Sequence, residues 1–201
     1  DKRIVAFEKN RGKYKTRNVS LEAYVMTKKL FLELVRKAAN TSSLYWFKDI
    51  LADSCDDLRI NGYAFKGTVY CINSLRSYFK ANIELRTHAK ARELFKEDWP
   101  IHTRTNDSAP SQYMPEAKIR GCSIANGCHI EGHVENCVIG RNVIIKRGAV
   151  VKNSVILPGA YIGEGAKLDH VIVDKAAIVN HVKKLVGTDD SPIYVKRRDR
   201  I

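Results

Sequence analysis

Three sets of side chains in this sequence have types and spacings that could do chemistry. Cys128, His129 and His133 stand within six residues of one another, and thiolate and imidazole are the ligands that zinc prefers. The same histidines could act as general bases, as an imidazole does in acyl transfer. The second set is the basic run Lys196-Arg197-Arg198, in a chain whose basic balance suits a protein that handles phosphorylated metabolites. The third is the cysteines. Five are present, Cys55, Cys71, Cys122, Cys128 and Cys137, with no C-x-x-C pair. An odd number in a chain too long to need stapling reads as reduced thiols in a cytoplasmic protein. The plainer readings are a solvated basic rim for Lys175, Arg197 and Arg198, and a small buried filler for Cys71.

The elements that must position these residues differ between the two halves. From Ala117 onward, aliphatic residues recur about every six positions, at Ile124, Ile130, Ile139, Ile145, Val151, Ile156, Ile162, Leu168, Val173 and Ile178. That period fits neither a helix nor a simple strand. Sliding the sequence by 17 places Val134-Glu135-Asn136-Cys137-Val138-Ile139 on Val151-Lys152-Asn153-Ser154-Val155-Ile156, and Leu168–Ala177 on Val151–Ala160. Sliding by 15 places Cys122, Ile124 and Ile130 on Cys137, Ile139 and Ile145. Three short strands per coil, each sending one apolar side chain inward, predict a left-handed parallel β-helix of about four coils over 117–201, closed by an edge strand at Ile193-Tyr194-Val195. In such a coil alternate residues point in and out, so Cys128, His129 and His133 are not expected to converge on a metal.

Residues 1–98 read as mixed α and β. Arg3–Glu8 and Leu21–Met26 are short β-rich runs, and Leu58–Ile72 holds two more. Thr27 is placed to cap a helix with Leu30, Phe31, Leu34 and Val35 on one face, and Ser74 another with Leu75, Tyr78, Phe79 and Ile83. Trp46–Leu51 also has a helical pattern. Few strands and no phosphate-cradling Gly-rich loop suggest part of an α/β layer structure. Residues 99–116 hold three of the five prolines and no sustained period, and read as a linker.

The net charge is +13, with 44% hydrophobic residues, a composition for a folded chain rather than a disordered basic tail. The charge is shared almost evenly between the halves, and aromatics are not interleaved with the bases as in an RNA-binding motif, so no nucleic-acid partner is expected. No apolar run approaches a membrane span, and the chain opens without a signal-peptide pattern, as a fragment or processed product would.

In order along the chain, Phe7-Glu8-Lys9, Ser20-Leu21-Glu22-Ala23-Tyr24-Val25-Met26, Lys48-Asp49-Ile50, Ser77–Leu85, Asp98-Trp99-Pro100-Ile101 and Val171-Ile172-Val173-Asp174-Lys175, together with the β-helix, resemble the C-terminal portion of the ADP-glucose pyrophosphorylase (glucose-1-phosphate adenylyltransferase) family of glycogen synthesis. The resemblance implies the remnant of a Rossmann-like nucleotidyltransferase domain before the β-helix, with the nucleotide-binding part upstream of this chain. The family joins glucose 1-phosphate to ATP with Mg²⁺ neutralising the phosphate oxygens. It makes Glu8, Lys9, Ser20 and Tyr24 remnants of the sugar-phosphate site, Asp49 a structural helix position near that site, and Lys175, Arg197 and Arg198 candidates for contacting a phosphorylated effector.

The chain also departs from the family pattern. Cys71 stands where the metal-binding Asp belongs, and a neutral thiol is a poor Mg²⁺ ligand. Asn10 replaces a Pro after Glu8-Lys9, Glu22 the Gly of a turn beside the sugar, and Tyr45-Trp46-Phe47 an Asp-Phe-Gly. These departures resemble the non-catalytic GlgD type of subunit found beside the catalytic one in Gram-positive bacteria. They imply a regulatory partner of the catalytic subunit that self-associates through its β-helix, with no catalytic residue and no cofactor of its own. The alternatives are a fragment of an active pyrophosphorylase or a hexapeptide acyltransferase.

Overall fold

The computed structural model describes residues 2–7, 18–42 and 47–201. The chain divides into two compact units, Asp1–Lys66 and Gly67–Ile201.

In the first unit, α1 (Lys28–Thr41) starts where expected: the Thr27 side chain accepts from the Leu30 amide at 3.3 Å, satisfying one of the orphan donors of the first turn. Together with α2 (Phe47–Asp53) it buries Leu34, Ala38, Ile50 and Leu51, with Tyr24, Met26, Leu30, Leu58 and Ile60 packed around them. The buried stripe is therefore Leu30, Leu34 and Ala38. Phe31 and Val35, expected on the same face, are exposed and lie outside this cluster. The β-rich runs form no ladder strand among the described residues. Arg3–Ile4 and Ile60–Asn61 are tied by an isolated antiparallel bridge between Arg3 and Asn61 and by Ile4 N–H to the Ile60 carbonyl at 2.8 Å. Strand propensity is realised only against a neighbouring strand, and here the pairing stops at one bridge.

The second unit opens with α3 (Leu75–Leu85). Ser74 caps it as expected and completes a capping box, Ser77 N–H to Ser74 Oγ at 3.1 Å and Ser74 N–H to Ser77 Oγ at 3.0 Å. The following α4 (His88–Leu94) buries none of its residues, and so offered no apolar period to read.

The rest is a parallel β-solenoid with three strands per coil. The first coil holds β1 (Gln112–Tyr113), β2 (Lys118–Arg120) and β3 (Ser123–Ile124); the second β4 (His129–Ile130), β5 (His133–Glu135) and β6 (Val138–Ile139); the third β7 (Ile144–Ile145), β8 (Val150–Lys152) and β9 (Val155–Ile156). Above them lie β10 (Tyr161–Ile162), β11 (Lys167–Asp169) and β12 (Val171–Val173), then β13 (Ile178–Val179), β14 (Lys184–Val186) and β15 (Ile193–Val195). They stack into three five-stranded parallel sheets. β1, inside the stretch 99–116, pairs Gln112 with His129. The registers reproduce the sequence shifts: Ile124 faces Ile139 and Ile130 faces Ile145 across 15 residues, while Val134 faces Val151 and Leu168 faces Val151 across 17. β15 pairs with β12 at the longer spacing of Val173 to Val195, because the segment after Gly187 adds residues to that coil.

The solenoid core is an aliphatic ladder. Ile130, Val134, Ile145, Val151, Ile156, Ile162 and Val173 are fully inaccessible, each removed from water at about 25 cal/mol per Å² of apolar surface. Ile124, in the edge coil, is half-buried. At the top the inward residue is Val179, paired with Ile162, and Ile178 points outward beside Tyr161. The 17-residue step from Ile162 fixes Val179 as the side chain that enters. The corners turn through left-handed residues stacked in columns, Gly121, Asn136, Asn153 and His170 in one and Gly127, Asn142, Gly159, Ala176 and Arg198 in another. Gly and Asn tolerate that conformation best. On the outside of the β9–β12 sheet, α3 inserts Phe79 against Val155 and Ile172, so that face is buried from both sides. No helix is long and apolar enough to cross a membrane among the described residues.

Candidate functional site

The solenoid brings the three basic candidates to one corner. Val173 faces Val195, which stacks the turn at Asp174–Ala177 beneath the turn at Lys196–Asp199 and puts Lys175 under Arg197. Arg198, left-handed at φ 59°, donates its backbone N–H to the Lys175 carbonyl at 3.1 Å. Lys175, Lys196, Arg197, Arg198 and Arg200 are all exposed there.

Asp174 organises this corner. Its carboxylate accepts from the Lys175 backbone amide at 2.6 Å and from the Tyr194 hydroxyl at 2.6 Å. Burial would raise the Asp174 carboxyl, but the Tyr194 hydrogen bond, the Lys175 amide and the charges of Lys175 and Arg197 outweigh it and hold the group below its ordinary value. The same hydrogen bond raises the Tyr194 phenol. The result is a surface where a carboxylate already satisfied by fixed donors leaves several cations facing water, an arrangement that can receive an anion. Tyr194 and Asp174 were not singled out by sequence reasoning; the pairing of β12 with β15 supplies their proximity.

Beside this corner, the segment after β14 is pinned to α3. Arg76 and Lys80 reach Asp190 at 2.6 and 3.2 Å. Beneath lies His170, its ring 6.0 Å from that of Phe79, with Nδ1 2.7 Å from Asp169 and Nε2 3.4 Å from Asp189. Asn153 donates to Asp169 at 2.9 Å. These contacts tie α3 to the last coil and position the basic corner.

Cys128, His129 and His133 do not converge. Cys128 is buried, its Sγ at 3.2 Å from the Ala125 carbonyl and 3.1 Å from that of Gly140. His129 lies outside, 3.0 Å from Glu131, which also holds Lys146 and accepts from the Arg147 amide at 3.1 Å. The hydrogen bond from Lys146 is the main cause that holds Glu131 below the ordinary carboxylate range, and Glu131 in turn raises Lys146. Glu135 is lowered the same way by Lys152, at 3.1 Å. Both acid–base pairs follow from the 15- and 17-residue shifts, which stack Glu131 on Lys146 and Glu135 on Lys152.

Of the sugar-site remnants, Glu8 and Lys9 lie outside the described residues, as do Asn10, Tyr45 and Trp46. Ser20 accepts from the Glu22 amide at 3.1 Å, and Glu22 takes a left-handed backbone, φ 56°. Where the resemblance puts a Gly, this chain keeps the glycine-like turn but carries a carboxylate on it. Tyr24 is half-buried against the α1–α2 core, and Asp49 lies in the first turn of α2. Cys71 is exposed, which corrects the expectation of a buried filler: the segment Val69–Asn73 ahead of α3 has no regular secondary structure, and Val69 and Ile72 are also exposed. The neighbouring donors do not fit Mg²⁺. Cys71 has a thiol, Tyr70 is committed to Glu84 at 3.3 Å, and a hard cation requires several oxygen ligands, carboxylates above all. No cluster of three His, Cys, Asp or Glu suited to a metal occurs among the described residues.

Residues 110–192 match the family model described as GlmU-like, C-terminal hexapeptide. Over 178 residues, 89% of this chain and 52% of the relative, the sequence is 28% identical to the glycogen biosynthesis protein GlgD of Bacillus subtilis (strain 168). It is 34% identical over 148 residues to the glucose-1-phosphate adenylyltransferase of Pseudothermotoga lettingae, 72% of this chain and 35% of the relative. Against the enzyme of that name from Bacillus cytotoxicus it is 27% identical over 194 residues, 93% of this chain and 51% of the relative. The chain thus spans about half the length, or less, of these relatives. With its helices followed by a hexapeptide solenoid, it is related over most of its length to the ADP-glucose pyrophosphorylase family of glycogen biosynthesis, GlgD included.

Proposed function

We propose that this chain is part of a regulatory, catalytically impaired subunit of glucose-1-phosphate adenylyltransferase, a cytoplasmic protein that assembles with the catalytic subunit and tunes its activity. The observation that carries this reading is Cys71, an exposed thiol at the position where the family resemblance requires a metal-holding carboxylate. Glu22 adds to it, placing a carboxylate on the turn beside Ser20 where the resemblance puts an anionic sugar. The reaction moves a highly charged phosphate group, and loss of its metal carboxylate removes the neutralising ion on which that transfer depends. Self-association through the solenoid is supported by an outward column of Ile144, Tyr161 and Ile178, of which Ile144 is 38% exposed. Lys175, Arg197 and Arg198 would receive the phosphate of an effector.

The test is pyrophosphate release from ATP and glucose 1-phosphate by the protein at its natural length, alone and mixed with a catalytic subunit. The reading expects no turnover alone and a changed rate or effector response in the mixture. Robust turnover by the protein alone overturns it in favour of an active pyrophosphorylase, the reading favoured by its 34% identity to the Pseudothermotoga enzyme.

A further inference from the structure

Cys122 and Cys137 occupy equivalent places in the first two coils. Ser123 faces Val138 and Ile124 faces Ile139, so the two cysteines precede paired strands at the same corner, with backbones one strand spacing apart, about 4.8 Å. Both side chains point into the core. The Cys137 amide donates to Cys122 Sγ at 3.4 Å, while the Cys122 thiol reaches the Arg120 and Val134 carbonyls at 3.2 and 3.5 Å and the Cys137 thiol those of Glu135 and Val151 at 3.1 and 3.4 Å. Two Cα atoms at that spacing fall inside the range that a disulfide spans without backbone movement, roughly 4.4–6.8 Å.

The two sulfurs differ in a way that suits a reactive thiol and its resolving partner. Cys137 is completely buried, whereas Cys122 is half-buried in the edge coil. The hydrogen bond from Cys137, backbone donors and the Arg86 charge bring the Cys122 thiol down to about 6 against the pull of burial, while burial pushes Cys137 up. Arg86 stands at the end of α3 with its Nε buried and without a hydrogen-bond partner. A low, partly accessible thiol beside a cation is the environment in which cysteines react with oxidants. Cys128, equally internal, receives no hydrogen bond at its sulfur among the described residues and donates it to the Ala125 and Gly140 carbonyls, and Cys55 is raised chiefly by burial.

We propose that Cys122 and Cys137 form a peroxide-sensing thiol pair that closes to a reversible disulfide between the first two coils. The Cys122 thiolate attacks a hydroperoxide oxygen; the O–O bond breaks, the departing oxygen leaves as water or alcohol, and Cys122 becomes a sulfenic acid. The Cys137 sulfur then attacks the sulfenic sulfur, the S–O bond breaks, and the Cys137 proton leaves with the hydroxyl as a second water. Two thiols are oxidised by two electrons and one hydroperoxide is reduced. The linkage staples β1, β2 and β3, the edge strands of their sheets, to the coil above.

Ser154 shows that the conservative variant fits. It is the next residue in the same column, and its hydroxyl bonds the carbonyl two residues back, Lys152 O, as Cys137 bonds Glu135 O. Treatment with hydrogen peroxide, alkylation and peptide mapping test the proposal. The expected product is a single Cys122–Cys137 linkage, cleaved by dithiothreitol, with Cys128 still a thiol. In Cys137→Ser the linkage is lost and Cys122 stops at a sulfenic acid trapped by a 1,3-dione; in Arg86→Met the reaction slows and its pH midpoint rises from about 6. With both cysteines present, Cys122 ending as sulfinic acid without a linkage, or staying reduced while the exposed Cys71 oxidises, overturns the proposal.

Discussion

The solenoid and the helical unit before it solve the burial problem in opposite ways. In the solenoid every coil supplies the lid of the coil below, so the inward ladder is continuous from Ile130 to Val179 and nearly every level is inaccessible. Among the described residues of the first unit the core is one small cluster, the buried Leu34, Ala38, Ile50 and Leu51, while Val5, Val19 and Val25 are exposed at 74, 80 and 104%. A repeated fold distributes its stability over many equivalent contacts. A small core concentrates it in a few.

The sharpest way to break this contrast is a charge inside the ladder. Ile162 is inaccessible between Ile145 and Val179, and Ile162→Asp leaves a carboxylate with apolar neighbours above and below. A buried, unpaired charge costs several kcal/mol, on the order of 5 or more. The variant is expected to lose the solenoid's cooperative melting transition by circular dichroism; an unchanged melting temperature contradicts the ladder.

A smaller effect, confined to the other region, is expected of Leu34→Ala. Truncating a buried Leu costs about 2–5 kcal/mol, which is large beside so small a core. Hydrogen exchange is expected to show loss of protection in α1 and α2 with the solenoid amides unchanged. Equal loss in both regions would mean that the two do not hold their stability separately.

The same contrast explains what could be read in advance. The 15- and 17-residue shifts contain the solenoid registers, because one side chain per strand must enter a core whose geometry repeats. They also contain the Glu131–Lys146 and Glu135–Lys152 pairs. Ile178 was assigned inward where Val179 is: it stands five residues after Val173, whereas both a six-residue step from Val173 and the 17-residue step from Ile162 lead to Val179. The caps at Thr27 and Ser74 were legible because capping is local chemistry. The strands expected near Arg3, Leu21 and Leu58 were not realised, because pairing depends on partners that local sequence does not specify. Nor could the sequence show that Asp174 meets Tyr194 or that Cys71 is exposed. The first depends on the inserted residues after Gly187 and the second on a segment with no period.

Acid should separate the regions further. Glu131, Glu135, Asp174 and Asp190 are all lowered by partners in the second unit. A carboxylate whose folded value lies below its unfolded one contributes stability above the unfolded value, and loses it as pH falls through the folded one. The solenoid's melting temperature is therefore expected to fall as the pH drops below about 4.5, with a shallower slope in Glu131→Gln. The partner's shift has the same meaning, since Lys146 is raised by the same contact. An identical slope in that variant would show that the Glu131 cluster contributes nothing to the acid response.

The smallest expected effect concerns the left-handed turns. In the solenoid the corners give φ values of 54, 56 and 43° to Asn136, Asn142 and Asn153, residues that adopt this region with little cost, and the stacked backbone bonds at those corners hold it. Glu22 adopts φ 56° with a Cβ that crowds the following carbonyl, a penalty of roughly 1–2 kcal/mol. Glu22→Gly removes it but adds conformational freedom to the unfolded chain, which offsets about 0.5–1 kcal/mol. Glu22 also makes an interaction of its own, so the net expectation is a change in stability under about 1 kcal/mol, read as a small shift of the denaturant midpoint at constant slope, with α1 still capped by Thr27. A marked destabilisation would show that the Glu22 side chain holds the turn through its own contacts. The carboxylate would then be structural in the first unit, rather than only an added charge beside Ser20.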